Sequence, residues 1–331
     1  MIISRAPVRF SLGGGGTDIP AYYSQHGGFV VSAAIDKYVY VTANKRFYPD
    51  IRLAYSKVEI VRNVDEIEHR IFREALRMTG ISGAIELTSV ADVPANSGLG
   101  SSSTFTVALL NALHTFRRHF VSSQQLAEEA CQIEIERLGE PVGKQDQYIA
   151  AFGNVTALTI DTDGTVHVEP VPARDEVLDE LQNNLLILYT GIERPASVVL
   201  SEQVARVKSS TTQTVDGMHR IKELGREVYR LLVDGDVDRY GELLHEHWTR
   251  KRMLAPSMTD STIDEHYEAA RKAGAIGGKI MGAGGGGFFM LYVRPADRRR
   301  VLETLEKRGL RQLRFRFDLD GARIVANLHR S

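Results

Sequence analysis

The sequence predicts an α+β protein built from two domains, and three observations carry that prediction. Strand-like and helix-like stretches interleave without the regular βαβ alternation of a doubly wound sheet. The 331 residues are enough for two hydrophobic cores. Pro170, Pro172 and the charged residues after them interrupt the pattern near residue 175, which divides the chain into an expected N-terminal domain, 1–175, and a C-terminal domain, 176–331.

The first third reads mostly as strands. Apolar alternation marks Ile2 to Phe10, Phe29 to Ile35, Tyr38 to Arg46, Ile51 to Tyr55 and Ala84 to Ser89, with one helix from Val64 to Thr79. Helices then take over. Phe105, Ala108, Leu109, Ala112, Leu113 and Phe116 recur at helical spacing within Ser101 to Arg118, and Ser123 to Leu138 and a short turn from Lys144 follow. Strands return at Asn154 to Ile160 and Val166 to Val171. The second half opens on the apolar strand Leu185 to Tyr189 and runs through helices at Ala196 to Ser209, Thr214 to Asp234, Val237 to Leu254 and Ser261 to Ala273. It closes with strands Ile276 to Met281 and Gly287 to Val293, a helix Ala296 to Arg308, and strands Leu313 to Phe317 and Ala322 to Val325.

Composition narrows the function. A formal net charge of −1 gives no electrostatic footprint for nucleic acid, and the longest basic run, Arg298-Arg299-Arg300, reads as a solvated helix face. No apolar run approaches the roughly 18 residues that a membrane span needs. Met1 to Phe10 alternates like a strand and lacks the apolar centre of a signal peptide. The single cysteine, Cys131, has no internal disulfide partner and lies in an apolar helical stretch, which suits a packing role in a reducing, cytoplasmic setting.

The chemistry is carried by glycine. Pro94-Ala95-Asn96-Ser97-Gly98-Leu99-Gly100-Ser101-Ser102-Ser103 leads directly into a helix. Glycines let a backbone approach an anion, the first helical turn points unpaired N–H groups at it, and serine hydroxyls reach phosphate oxygen or Mg²⁺. By itself the segment also reads as an ordinary glycine loop with a serine helix cap. It lacks the Gly-Lys-Ser/Thr of a Walker A loop, and it is not GxGxxG. Two more glycine-rich segments flank it at a distance: Arg5-Ala6-Pro7-Val8-Arg9-Phe10-Ser11-Leu12-Gly13-Gly14-Gly15-Gly16-Thr17-Asp18, and Lys279-Ile280-Met281-Gly282-Ala283-Gly284-Gly285-Gly286-Gly287-Phe288.

In this order the three segments resemble the three motifs of the GHMP kinases, the superfamily of sugar, homoserine, mevalonate and phosphomevalonate kinases. The resemblance implies an N-terminal α+β domain, a ferredoxin-like C-terminal domain and an active site in the cleft between them. ATP and Mg²⁺ are the implied cofactors. Pro94, Asn96, Ser97, Gly98, Leu99, Gly100, Ser101, Ser102 and Ser103 would hold the ATP phosphates. Gly15, Gly16, Thr17 and Asp18 would form the acceptor pocket, with Gly284 and Gly285 in the supporting third loop. Asp18 also reads as a residue that merely closes an Asx turn.

The resemblance further assigns Mg²⁺ to Ser102 and Glu134, the catalytic carboxylate to Asp146 in Gly139-Glu140-Pro141-Val142-Gly143-Lys144-Gln145-Asp146, and a supporting guanidinium to Arg9. Without the motifs, Glu134 reads as a helix-surface carboxylate, Asp146 as a helix cap and Arg9 as a surface charge on a strand. Within the superfamily, the four glycines before Thr17-Asp18 are most similar to those of D-glycero-D-manno-heptose 7-phosphate kinases. Galactokinases instead carry Gly-Glu-His-Thr-Asp there.

The implied reaction is phosphorylation of the anomeric hydroxyl of a small sugar phosphate, giving a 1,7-bisphosphate used for nucleotide-activated heptose and surface polysaccharide. Lys144, and after it Arg250 and Arg252 in His245-Glu246-His247-Trp248-Thr249-Arg250-Lys251-Arg252, are the cations expected to bind the existing phosphate. A fucokinase-like 1-kinase of an unphosphorylated sugar, or a non-catalytic sugar or nucleotide sensor of the same fold, remain open alternatives. The sequence is compatible with a homo-oligomer and does not define one.

Overall fold

A computed structural model describes residues 1–192, 201–202, 204–205, 212–254, 259, 261–282 and 284–328. Twelve strands form two sheets among these residues. The larger sheet has the order β12-β1-β2-β5-β3-β4, with β6 pairing β2 and β7 pairing β6. Its members are β1 (Ile2–Gly13), β2 (Gly28–Lys45), β3 (Ile51–Ala54), β4 (Val58–Val61), β5 (Ile85–Ala91), β6 (Val155–Ile160), β7 (Val166–Pro170) and β12 (Arg323–Asn327). The smaller sheet has the order β11-β8-β10-β9, from β8 (Leu185–Tyr189), β9 (Gly277–Ile280), β10 (Phe288–Tyr292) and β11 (Arg311–Leu313). All its pairs are antiparallel. Helices follow its first and third strands, which is ferredoxin-like topology.

The helices are α1 (Pro20–His26), α2 (Arg70–Thr79), α3 (Ser101–Phe116), α4 (Ser123–Cys131), α5 (Gln145–Phe152), α6 (Asp175–Asn184), α7 (Thr212–Asp234), α8 (Tyr240–Leu254), α9 (Ser261–Lys272) and α10 (Pro295–Glu306). Helix α3 lies against β1 and β2 and is buried almost throughout, from Ser103 to His114 except Asn111. Its apolar residues go all round, as a central helix requires. Helix α7, from the second half of the chain, also packs on β1 and β2, and one core runs from Leu12 and Val31 through Leu224 and Val228. Helix α8 covers β9 and β10, where Trp248 and Phe289 share the second core.

Several elements differ from the sequence expectation. The expected strands at 29–35 and 38–46 are one strand, β2, which pairs β6 with its first half and β5 with its second. The helix expected from Val64 begins only at Arg70, after a single 3₁₀ turn at Val64–Glu66, with the His69 ring accepting the Phe72 N–H as its cap. The helix expected to reach Leu138 is α-helical to Cys131 and then widens into a π-helical segment, Gln132–Arg137. The strand expected from Leu313 to Phe317 stops at Leu313, and Phe317 makes an isolated bridge to Ile35. Helices α1, opened by Pro20 at its first position, and α6 have no counterpart in the sequence reading. The helix expected over Ala196 to Ser209 lies largely outside the described residues.

Candidate active site

The three glycine segments converge on one cavity. Its wall includes Arg9, Ser11, Gly15, Gly16 and Asp18 from the first, Asn96, Gly98, Gly100 and Ser101 to Ser103 from the second, and Lys279, Ile280 and Gly282 from the third. Gln145, Asp146 and Lys251 complete the polar lining. The second and third segments touch backbone to backbone. A β-carbon on Gly98 would lie 2.5 Å from the Met281 carbonyl oxygen, and one on Gly282 would lie 2.6 Å from the Gly98 Cα. Both glycines also have positive φ, 82° and 69°, so no other residue fits without strain.

Helix α3 starts at Ser101 with Gly100 in the left-handed region as its cap residue, and no side chain caps it. The first N–H groups of the helix are thereby left uncapped beside the cavity-lining Ser101, Ser102 and Ser103, an arrangement that can receive an anion. Gly100 has a second reason to lack a side chain: a β-carbon there would be 2.8 Å from Asp146 Oδ2.

Arg9, on β1 and only 4 % exposed, ties this loop to Asp146. Its Nε donates to Asp146 Oδ1 at 2.7 Å, and its Nη2 lies 2.6 Å from the same oxygen. Its Nη1 donates to the Gly98 carbonyl at 2.7 Å, and its backbone N–H to the Leu99 carbonyl at 3.1 Å. Burial raises the Asp146 carboxyl above the usual carboxylate range, and the Arg9 charge and hydrogen bond oppose the rise. Asp146 sits in the first turn of α5, where a carboxylate also complements the helix dipole.

Glu134 comes from the π-helical segment, a wide turn of a kind found at functional positions. It is 2 % exposed. Its Oε1 accepts from Ser102 Oγ at 3.1 Å, and its Oε2 from Gln147 Nε2 at 2.7 Å. Burial pushes its carboxyl up to about 7, against hydrogen bonds from Ser103, Gln147 and Ser102, with Asp146 nearby adding to the rise. Asp18 is held on both oxygens: Oδ1 accepts from the Gly16 N–H at 2.9 Å and Gln145 Nε2 at 3.3 Å, and Oδ2 from the Gln145 N–H at 3.1 Å.

Some expected residues stand away from the cavity. Lys144 donates from Nζ to the Gly164 carbonyl at 2.5 Å and lies over the Tyr23 ring. Arg250 pairs with Glu246, and Arg252 with Asp264. Thr17 turns its hydroxyl onto the Gly14 and Phe29 carbonyls. Pro94, Ser97, Leu99, Gly284 and Gly285 support the loops without lining the cavity. Conversely, Ser11, Gln145, Lys251 and Lys279 line it and were not singled out as site residues from sequence. A lysine inside the expected strand Ile276 to Met281 was the available signal for Lys279.

Two family descriptions match this chain: GHMP kinases N terminal domain over residues 59–154 and GHMP kinases C terminal over residues 228–310. The chain belongs to the GHMP kinases. It is an ATP-dependent sugar kinase with the two-domain α+β fold of that family. Among relatives of this GHMP kinase, a D-glycero-alpha-D-manno-heptose 7-phosphate kinase of Campylobacter jejuni is 28% identical, covering 97% of this chain and 98% of the relative. An L-fucokinase/L-fucose-1-P guanylyltransferase of Bacteroides fragilis is 26% identical over 89% of this chain and 35% of its own length. A crystal structure of a D-glycero-D-manno-heptose 1-phosphate kinase from Bacteroides thetaiotaomicron superposes with a TM-score of 0.81 at 26% identity, covering 99% of each chain. None of this GHMP kinase's described helices is long and apolar enough to cross a membrane.

Proposed function

We propose that this GHMP kinase phosphorylates the anomeric C1 hydroxyl of D-glycero-D-manno-heptose 7-phosphate, giving the 1,7-bisphosphate and ADP. The observation that carries the phosphoryl-transfer reading is the link from phosphate loop to carboxylate, Gly98 to Arg9 to Asp146, at one cavity. The choice of heptose is supported by the relatives from C. jejuni and B. thetaiotaomicron, whose names agree on the sugar and differ on its phosphate position.

In this reading Asp146 accepts the proton of the attacking hydroxyl as the new O–P bond forms and the bond from the γ-phosphorus to the ADP oxygen breaks. Its raised pKa favours that acceptance, while the Arg9 charge and hydrogen bond favour its ionised form beforehand. The N–H groups of the first turn of α3 and the serine hydroxyls hold the phosphates. Ser102 and Glu134 would hold Mg²⁺. The donor set fits: one hydroxyl and one carboxylate, both hard oxygens 3.1 Å apart. When bound, the cation neutralises phosphate charge. Asp18, held by Gly16 and Gln145, would orient the sugar.

A second reading, a 1-kinase of an unphosphorylated sugar, is favoured by one observation: Lys144, Arg250 and Arg252 are all engaged away from the cavity. The test compares kcat/KM for heptose 7-phosphate and the dephosphorylated heptose, with ATP and Mg²⁺, and locates the new phosphate by product NMR. Loss of the existing phosphate should lower kcat/KM by about tenfold to a hundredfold. Equal values would replace the sugar-phosphate reading with the second one.

A further inference from the structure

Two buried ammonium groups in the cavity wall lack a carboxylate partner. Lys251 on α8 is 7 % exposed and Lys279 on β9 is 3 % exposed, and both line the cavity with Arg9 and Asp146. Lys251 Nζ donates to the Gly282 carbonyl at 2.6 Å, and Lys279 Nζ lies 3.5 Å from His247 Nδ1. Neither forms an ion pair with a carboxylate among the described residues. His247 is no counter-charge, because burial and the two lysines hold its ring well below the ordinary histidine range, and its Nε2 is buried without a partner. Arg9, the third cation, is already taken by Asp146 and Gly98.

Buried cations are costly unless an anion joins them, and two side by side repel each other. Burial, then the charges of Lys251 and Arg9, depress Lys279, while burial and then Arg9 depress Lys251 to about 8, with the Asp18 carboxylate opposing. Each ammonium brings up to three donors, and Ser11 Oγ, buried and without a partner, adds a hydroxyl on the same cavity. Such a wall is complementary to a doubly charged oxyanion.

We propose that Lys251 and Lys279 form a second anion subsite, distinct from the helix start at Ser101 to Ser103, that takes a phosphate dianion. The proposal rests on the kinase reading of the cavity. The phosphate has two sources there, the group already on the acceptor sugar and the terminal group of the nucleotide.

The first experiment uses inorganic phosphate alone, without sugar or nucleotide, and reads phosphate affinity from melting temperature. Lys251→Met and Lys279→Met should lose about tenfold or more in that affinity, whereas Arg299→Met, an exposed cation on α10 away from the cavity, should retain the response. Unchanged affinity in both Met variants overturns the proposal. Should the Met variants fail to fold, side-chain ¹⁵N resonances of the two lysines in the unaltered protein replace them. Movement of those resonances on adding phosphate supports the subsite, and their constancy overturns it.

The second experiment assigns the source, using ATP with heptose 7-phosphate. A KM raised about tenfold for the sugar phosphate alone gives the subsite to the acceptor, and one raised for ATP alone gives it to the nucleotide. Phosphate binding needs no turnover, so a chain that binds phosphate through the lysines but does not phosphorylate heptose 7-phosphate retains the subsite and loses the heptose reading.

Discussion

Arg9 and Asp146, 137 residues apart in the chain, are joined by a guanidinium whose Nε and Nη2 both address one carboxylate oxygen, at 2.7 and 2.6 Å. This leaves Asp146 Oδ2 free of the guanidinium, beside Gly100 and the cavity. The arrangement makes Asp146→Asn the most direct test of the proposed base. Turnover should fall about 10²–10⁴-fold while nucleotide affinity stays near its original value. ADP release and nucleotide titration measure the two quantities, and near-normal turnover in a folded variant would remove Asp146 from the role.

Arg9→Lys keeps the charge and should still damage the enzyme in two ways. A lysine offers a compact point charge in place of a planar fork, so it cannot serve Asp146 and the Gly98 carbonyl together. The expected result is a lower kcat together with a higher KM for ATP, since both base and loop lose a contact. If Arg9→Lys changes only one of the two parameters, the guanidinium does not couple them.

Glu134→Ala should raise the Mg²⁺ concentration needed for half-maximal rate, and Ser102→Ala should do so more mildly. The carboxylate is the stronger of the two donors, and its removal also leaves Gln147 Nε2 without its partner. A Mg²⁺ titration of each variant at saturating ATP provides the check. An unchanged titration for Glu134→Ala places the metal elsewhere.

Gly98→Ala and Gly282→Ala should each destabilise the protein by more than Gly139→Ala. All three glycines have positive φ, but only the first two would drive a β-carbon into neighbouring backbone, whereas nothing lies within 4 Å of a β-carbon at Gly139. The φ strain alone costs about 1–3 kcal/mol, and backbone overlap adds to it. Urea unfolding of the three variants separates these contributions.

Lys251→Met should be more stable than the parent protein below pH 8, with the gap closing at higher pH. Lys251 faces Arg9, Asp18 and Lys279, with His247 one turn back on the same helix, and its pKa falls from 10.5 to about 8. Below about 8 it is charged in both folded and unfolded chains, and the folded state carries the full penalty, on the order of 3 kcal/mol. Between about 8 and 10.5 the unfolded chain binds the extra proton, so parental stability rises with pH. Denaturant midpoints at pH 7 and pH 9.5 measure the difference, and a gap that fails to shrink contradicts it.

Much of the site was legible in the sequence because its loops are constrained by contacts that only glycine permits. Gly98, Gly100 and Gly282 sit where a β-carbon would strike backbone or Asp146, so the glycine runs marked the cavity directly. The helix period of α3 was equally plain. What escaped was set by tertiary context. Lys251 lies in a helix segment dense with charge, and nothing in the local pattern separates it from Arg250 and Arg252, which face other partners. Glu134 is named only through the motif resemblance, and the π-helical turn that carries it has no periodic signature in a short stretch. Likewise β2 read as two strands, because the irregular pairing with β1 near Pro7 to Arg9 breaks the alternation at its middle.

The pairing of β12 with β1 bears on how the chain reaches this structure. Residues Ile2 to Arg5 find their partners at Arg323 to Asn327, after every other strand and helix among the described residues has intervened. During synthesis one edge of β1 therefore stays open until Arg323 to Asn327 have left the ribosome. Contacts of such long sequence separation close slowly, and an unpaired strand edge invites pairing with other chains. Chaperone dependence at high expression, and aggregation of products truncated before Arg323, follow from that late closure.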